Sequence, residues 1–185
     1  MNKKFGIKEV VAMGIGTALF VVLTNVQIPL VFIPNTALQP RMAVLAFFSA
    51  IFGPIVGGVV GFLGHALGDA LFYGSVWWSW VFPEAVVGVA IGIFAKKYGV
   101  EEGKFVDAKA ITFFNVVQVV ANAFAWIVVA PVLDILIYAE PSDKVFSQGA
   151  VAFILNIIAI GVLGSLLLVA YSRIAGKSSN LKVEE

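Results

Sequence analysis

The sequence predicts an all-α membrane protein, a compact bundle of six transmembrane helices with both termini cytoplasmic. Three observations carry this. Of the 185 residues, 61% are hydrophobic and only 12% charged, against about 45–50% and about 25% in a soluble domain. The charges gather in a few places: Lys3, Lys4, Lys8 and Glu9 open the chain, 96–109 reads KKYGVEEGKFVDAK, and a polar tail begins at Arg173. The long apolar runs between them lack the alternating polarity of a barrel strand, and a helix is the element that satisfies its own backbone in lipid.

Taken in order, the expected helices span 9–28, 39–52, 55–72, 78–95, 110–130 and 149–172, in one integral-membrane domain, 1–185. The first has the basic start of a signal peptide, but no A-x-A-like cleavage site follows, so an uncleaved helix is expected. The segment 29–38 is apolar and holds two prolines; proline removes a donor and resists helix, so this segment is expected to lie across the bundle. The second helix is short and meets Gly53-Pro54 at once, which makes a tight hairpin with the third. No repeat of solenoid length is evident.

Orientation follows from the basic residues beside the spans. Three lie in the N-terminal segment, four in 96–109 and three in the tail, against only Arg41 and Lys144 on the other side. Tyr73, Trp77, Trp78 and Trp80 then fall near the outer interface, where amphipathic aromatics settle.

The same composition excludes several functions. A net charge of +1 offers no basic patch for nucleic acid. Without cysteine there is no thiolate metal site or Cys nucleophile, and the single histidine, His65, argues against a His-based zinc site. Gly176-Lys177-Ser178 has the ending of a phosphate loop, but Tyr171 stands where that pattern needs glycine. No Ser-His-Asp set or HExxH occurs. No enzyme, catalytic residue, metal or cofactor is therefore expected, and ATP, if it drives this protein, is hydrolysed by another subunit.

Polar side chains at membrane depth are expensive and mark candidate sites. Trp77, Trp80 and Glu84 share one helical face; Glu84 either meets a ligand or pairs with Arg41 or His65 and locks the bundle. His65, Asp69 and Tyr73 form a second line, as fitting for a structural hydrogen bond as for a ligand. Beside it run Gly57, Gly61, Gly64 and Gly68, read as packing glycines. Asn115, Gln118, Asn122 and Trp126 share a third face, with Asn122 and Trp126 placed to line a pocket and Asn115 read as interhelical glue. Asn156 is an isolated amide at the depth of Glu84. Arg41, after Pro40, is read as a snorkelling or capping residue rather than a ligand clamp. Asp69, Glu84, Asn122, Trp126 and Asn156 converge on the outer half, where an apolar pocket with a few polar groups would sit, and the 29–38 segment, with Asn35, is placed to cover it. Helix one carries Ala12-x-x-x-Gly16 and Gly14-x-x-x-Ala18, grooves for another helix, in this chain or in a partner.

With these residues in view, the chain resembles the S component of an energy-coupling factor (ECF) vitamin transporter. The resemblance rests on six short helices without a nucleotide motif, on the small-residue stripe of helix one, and on Ile51-Phe52-Gly53-Pro54, Gly57, Gly61-Phe62, Gly64-His65-Ala66 and Asp69. Gly74-Ser75, Trp77-Trp78-Ser79-Trp80 and Ala95-Lys96-Lys97 add to it. It implies an outward-facing vitamin site in the bacterial plasma membrane, a membrane-embedded T component docked on helix one, and two ATPase subunits. The docking signature Ala-x-x-x-Ala falls on Ala12 and Gly16. The family's pocket placement falls on Asn35, Trp80, Glu84, Asn122, Trp126 and Asn156, to which the residue reading adds His65 and Asp69. Hydroxymethylpyrimidine is the first expectation for substrate, with pyridoxine, riboflavin or another vitamin as alternatives. A self-sufficient carrier would instead spread polar groups over the full depth or show an inverted repeat. Two carboxylates, Asp69 and Glu84, beside stacking indoles favour a small planar heteroaromatic ligand, neutral or cationic, with hydrogen-bond donors.

The orientation is directly testable. The chain has no native cysteine, so Ser178→Cys should resist a membrane-impermeant thiol reagent in intact cells and react after lysis; labelling in intact cells would reverse the topology.

Overall fold

The computed structural model of the chain describes residues 6–29 and 37–181. Helix α1 covers Ile7–Leu23 and is followed by two short strands, β1 (Ile28–Pro29) and β2 (Ala37–Leu38). Then come α2 (Arg41–Phe52), α3 (Pro54–Phe72), α4 (Trp78–Ile93), α5 (Ala95–Tyr98), α6 (Ala108–Ala123), α7 (Ala130–Tyr138), α8 (Ser142–Ala159) and α9 (Ser165–Leu181). A π-helical stretch, Phe124–Val129, joins α6 to α7, and a second, Ile160–Gly164, joins α8 to α9. By length and composition Pro54–Phe72, Ala108–Tyr138 and Ser142–Lys177 can cross a membrane, while α2 and α4 are apolar but shorter. These elements describe an α-helical membrane protein with one addition to the expected class, the antiparallel ladder pairing Ile28 with Leu38 and Pro29 with Ala37.

Helix ends differ from the sequence expectation for local reasons. The first helix stops at Leu23 rather than 28. Pro29 drives the residue before it out of the helical region, and Ile28 is extended. The fifth runs on to Tyr138 rather than 130. Pro131 has no N–H to donate and would crowd the carbonyl four residues back. The chain widens into the π stretch just before it and so carries the helix through. The last begins at Ser142 rather than 149, directly after Pro141 in an extended conformation, with Asp143 in its first turn, where a carboxylate complements the helix dipole.

Glycine decides how tightly the bundle closes. A Cβ on Gly57 would stand 2.4 Å from the carbonyl oxygen of Gly88, and one on Gly61 would stand 2.6 Å from that of Glu84. Helices α3 and α4 therefore touch backbone to backbone. On another face of α3, Gly64 meets Phe20 of α1 and Gly68 meets Thr24, which caps the end of that helix. The four glycines read as packing residues thus serve two interfaces. Ala12 and Gly16 also pack inward: Ala12 is buried, and a Cβ on Gly16 would come 2.7 Å from Val60 Cγ2. That pair does not offer a groove on the surface in this conformation, because α2 and α3 already fill it. Gly14 has nothing within 4 Å of an added Cβ, and Ala18 is likewise exposed.

The basic segments meet at one end of the bundle. Lys8 of α1 pairs with Glu101 of the α4–α6 connection, the Phe105 N–H donates to Ser172 Oγ of α9 over 3.0 Å, and Gly103 packs on Gly176. Tyr98 is buried here, which raises its pKa; its hydroxyl stays protonated and donates to the Ile91 carbonyl over 3.0 Å.

The glycine contact gives a sharp expectation. In Gly88→Val the new Cβ would lie 2.3 Å from the Gly57 carbonyl oxygen, a backbone atom that cannot rotate away. Thermal denaturation in detergent should show a loss of about 1–3 kcal/mol, whereas Gly14→Ala should be neutral or slightly stabilising.

Candidate functional site

At the end opposite the basic segments, ionisable side chains from three helices join below the β1–β2 ladder. Arg41 opens α2 directly after Pro40 and is only 3% exposed. Its Nη2 donates to Glu84 Oε1 over 3.1 Å, its Nη1 to Thr24 Oγ1 over 3.1 Å and its Nε to Gln39 Oε1 over 2.7 Å. The guanidinium also lies 4.8 Å from the centre of the Phe20 ring, a cation–π contact. His65 of α3 bridges two carboxylates: its Nδ1 is 3.0 Å from Glu84 Oε2 and its Nε2 is 3.3 Å from Asp69 Oδ1. The Glu84 approach is too poorly aligned to count as a hydrogen bond. Asp69 Oδ2 accepts the Trp77 backbone N–H over 3.0 Å, which fixes the turn between α3 and α4.

A second cluster lies beside the first. Asp134 of α7 is 2% exposed and accepts three side-chain donors. Trp77 Nε1 donates to its Oδ1 over 2.7 Å, Ser79 Oγ donates to the same oxygen, and Trp80 Nε1 donates to Oδ2 over 2.8 Å. The Trp77 ring stacks on Tyr138 at 4.4 Å, and Trp80 meets Trp126 edge to face at 5.3 Å. Tyr138 Oη also accepts the Trp78 N–H over 3.0 Å. Asp134 thus binds α7 to the start of α4 and holds two indoles in place.

Between the clusters lies a cavity of about 530 Å³, within the size range of small-molecule sites. Arg41, His65, Asp69, Trp77, Trp80 and Asp134 line its wall. Pro29, Ala37 and Gln39 of the ladder region edge it, as do Lys144 and Glu140, which pair at 2.6 Å. Another cavity, about 650 Å³, lies at the far end between the start of α1, the α2–α3 corner and the α4–α6 connection.

Of the expected site residues, His65, Asp69 and Trp80 line the cavity, and Glu84 stands just behind, against Arg41 and His65. Asn122, Trp126 and Asn156 do not reach its lining. Asn122 is fully buried and donates to the Gln118 carbonyl over 2.8 Å. Gln118 in turn donates to the Ile157 carbonyl of α8, and Asn115 to Ser165 Oγ, so this amide face ties helices together. Trp126 sits behind Trp80, and neither its Nε1 nor Asn122 Oδ1 has a partner among the described residues. Asn35 lies outside the described residues. The reading of Arg41 as a snorkelling or capping residue is corrected: Thr24, Gln39 and Glu84 draw its guanidinium into the bundle. Asp134 is the residue that sequence reasoning missed. Its signal was a lone carboxylate in the apolar run 130–138, hidden by ending that helix at 130. Among the described residues no group of His, Asp and Glu is arranged to hold a metal ion.

Glu84 shows what the ion pairs are worth. Glu84→Gln keeps the shape but leaves the Arg41 charge buried without its partner, a loss of about 3–5 kcal/mol. Urea or thermal denaturation in detergent should show it. An unchanged midpoint would mean that the guanidinium escapes to water.

A family profile described as "ECF-type riboflavin transporter, S component" matches residues 4–173. The chain is 52% identical over 178 residues to a UPF0397 protein of Streptococcus gordonii, covering 96% of this chain and 95% of that one. It is 49% identical over 180 residues to a UPF0397 protein of an Exiguobacterium species, covering 97% and 98%. A UPF0397 protein of Lactobacillus gasseri is 47% identical over 184 residues, covering 98% and 99%. No solved structure matches the chain. A helical membrane chain with a walled cavity at one end, matched along nearly its whole length, belongs to the family of ECF transporter S components.

Proposed function

We propose that this protein captures a flat heteroaromatic vitamin or vitamin precursor in the cavity below the β1–β2 ladder, and that partner subunits use ATP to drive its uptake. The observation that carries the reading is the cavity wall: two indoles held rigid by Asp134 stand beside a network of buried polar groups. Offset or edge contact with a flat ring is worth about 0.5–1.5 kcal/mol beyond burial, and preorganised side chains lose little entropy on binding. Hydroxymethylpyrimidine, pyridoxine and riboflavin all offer a flat ring with hydroxyl donors. The family's description supports the ring class, and hydroxymethylpyrimidine remains the first to test.

In this reading the chain spans the membrane six times. The end holding Lys8, the α4–α6 connection and the end of α9 faces the cytoplasm, and the cavity opens outward. A membrane-embedded T component and two ATPase subunits complete the importer in the bacterial plasma membrane. Because Ala12 and Gly16 are committed to packing within the chain, the groove available to the T component is the exposed Gly14–Ala18 pair. Beside it, Val11 and Ile15 are about half exposed, at 51% and 52%.

Titration calorimetry of the detergent-purified protein with these three compounds tests the reading. At least one should bind, and Trp80→Ala should weaken it at least tenfold, about 1.4 kcal/mol. Failure of all three and of their amine analogue pyridoxamine, or the same affinity in Trp80→Ala, would overturn it.

A further inference from the structure

The cavity holds an imbalance of charge. Four carboxylates stand in or behind its wall: Asp69, Glu84, Asp134 and Glu140. The cationic groups are Arg41 and Lys144, joined by His65 when that ring is protonated. Each of these already has a partner. Arg41 pairs with Glu84, Lys144 with Glu140, and His65 stands between Glu84 and Asp69. Asp134 alone among these carboxylates makes no ion pair with a described residue, and residues 30–36, Leu-Val-Phe-Ile-Pro-Asn-Thr, contain no Lys, Arg or His that could supply one.

Three neutral donors hold Asp134, and none of them brings a positive charge. An ionised carboxylate has about four acceptor positions. Trp77 and Ser79 occupy both on Oδ1, and Trp80 occupies one on Oδ2. One acceptor position on Oδ2 is left, on a residue that lines the cavity. The indoles of Trp77 and Trp80 stand against Asp134, and the Tyr138 ring stacks on Trp77. An indole presents a negative face, and a cation near it gains about 0.5–2 kcal/mol, most when water is excluded. An uncompensated carboxylate among aromatic rings is a site for a positive charge.

We infer that Asp134 selects the ligand's charge: the cavity takes a flat ring that carries a cationic nitrogen, and that nitrogen donates to Asp134 Oδ2 beside the indole of Trp80. The inference rests on the proposed binding function and narrows its substrate class. It ranks an amino-bearing heteroaromatic above a neutral flavin, and it makes an anionic vitamin a poor ligand. The earlier expectation placed the ligand's donors on Asp69 and Glu84, but those two carboxylates are matched from within the protein.

Pyridoxamine and pyridoxine test this directly, since they differ in carrying an ammonium or a hydroxyl on one carbon. Calorimetry on the purified wild-type protein should show pyridoxamine bound at least tenfold more tightly. Asp134→Asn should reduce that preference to below threefold, and Asp134→Glu, which keeps the charge, should retain it. Melting curves establish that each variant is folded, and a wild-type protein without the preference overturns the inference even if neither is. If neither compound binds and hydroxymethylpyrimidine and riboflavin also fail, the binding function itself falls. If any of the four binds but pyridoxamine is no tighter than pyridoxine, or if folded Asp134→Asn keeps the full preference, charge selection by Asp134 is overturned and the binding function stands.

Discussion

Backbone contact between α3 and α4 is the constraint on which the rest depends. Two helices normally pack with axes 8–10 Å apart. Here Gly57, Gly61, Gly88 and Gly92 remove the side chains that would hold them there, and a Cβ at any of them would overlap the opposite backbone at 2.3–2.6 Å. Because Gly61 lies against the Glu84 carbonyl, the Glu84 side chain emerges one helical turn from His65. In lipid, where apolar side chains gain nothing by leaving one kind of hydrocarbon for another, such close approach and its dispersion contacts are what hold helices together.

That approach creates an electrostatic problem which α2 solves. A carboxylate buried to 1% exposure would carry a penalty of several kcal/mol if unmatched. Arg41 matches it from the first turn of α2, and Thr24 at the end of α1 and Gln39 each take a further donor. One guanidinium thus fixes α1, α2 and α4 relative to one another, while His65 joins α3 to the same set. The exposed Lys8–Glu101 pair is of a different kind. Such surface pairs contribute about 0.2–1 kcal/mol, so it marks where two segments meet and holds them only weakly.

The two ends of the bundle are built from different chemistry. One gathers basic segments, a buried tyrosine and glycine contacts between a connection and the last helix. The other gathers paired ions, indoles anchored by a carboxylate, and the short ladder that brings Ile28 and Pro29 beside Ala37 and Leu38. The amide ladder Asn115–Gln118–Asn122 lies between them and ties α6 to α8 and α9. This polarity suits a subunit that meets its ligand at one end and carries its basic segments at the other.

Much of this was legible in the residues themselves. An apolar fraction of 61% with clustered charge, in runs without a barrel strand's alternation, fixes the class, because helices and closed barrels are the structures that satisfy a backbone in lipid. The period of Gly57, Gly61, Gly64 and Gly68 announces close packing, and the spacing of His65 to Asp69 puts them on one face. Facing partners were beyond it. Periodicity says which residues share a side of one helix, but not which helix that side meets. Hence Arg41 read as a snorkelling or capping residue until Thr24 and Glu84 enclosed it, the groove of Ala12 and Gly16 suited this chain or a partner until Phe48 and Val60 met Gly16, and Asn122 and Trp126 read as pocket wall although they stand outside the cavity lining. Asp134 was hidden for a related reason. Its helix continues through Pro131 only because a π-helical turn absorbs the missing donor, and that choice of backbone is made by tertiary packing rather than by local preference.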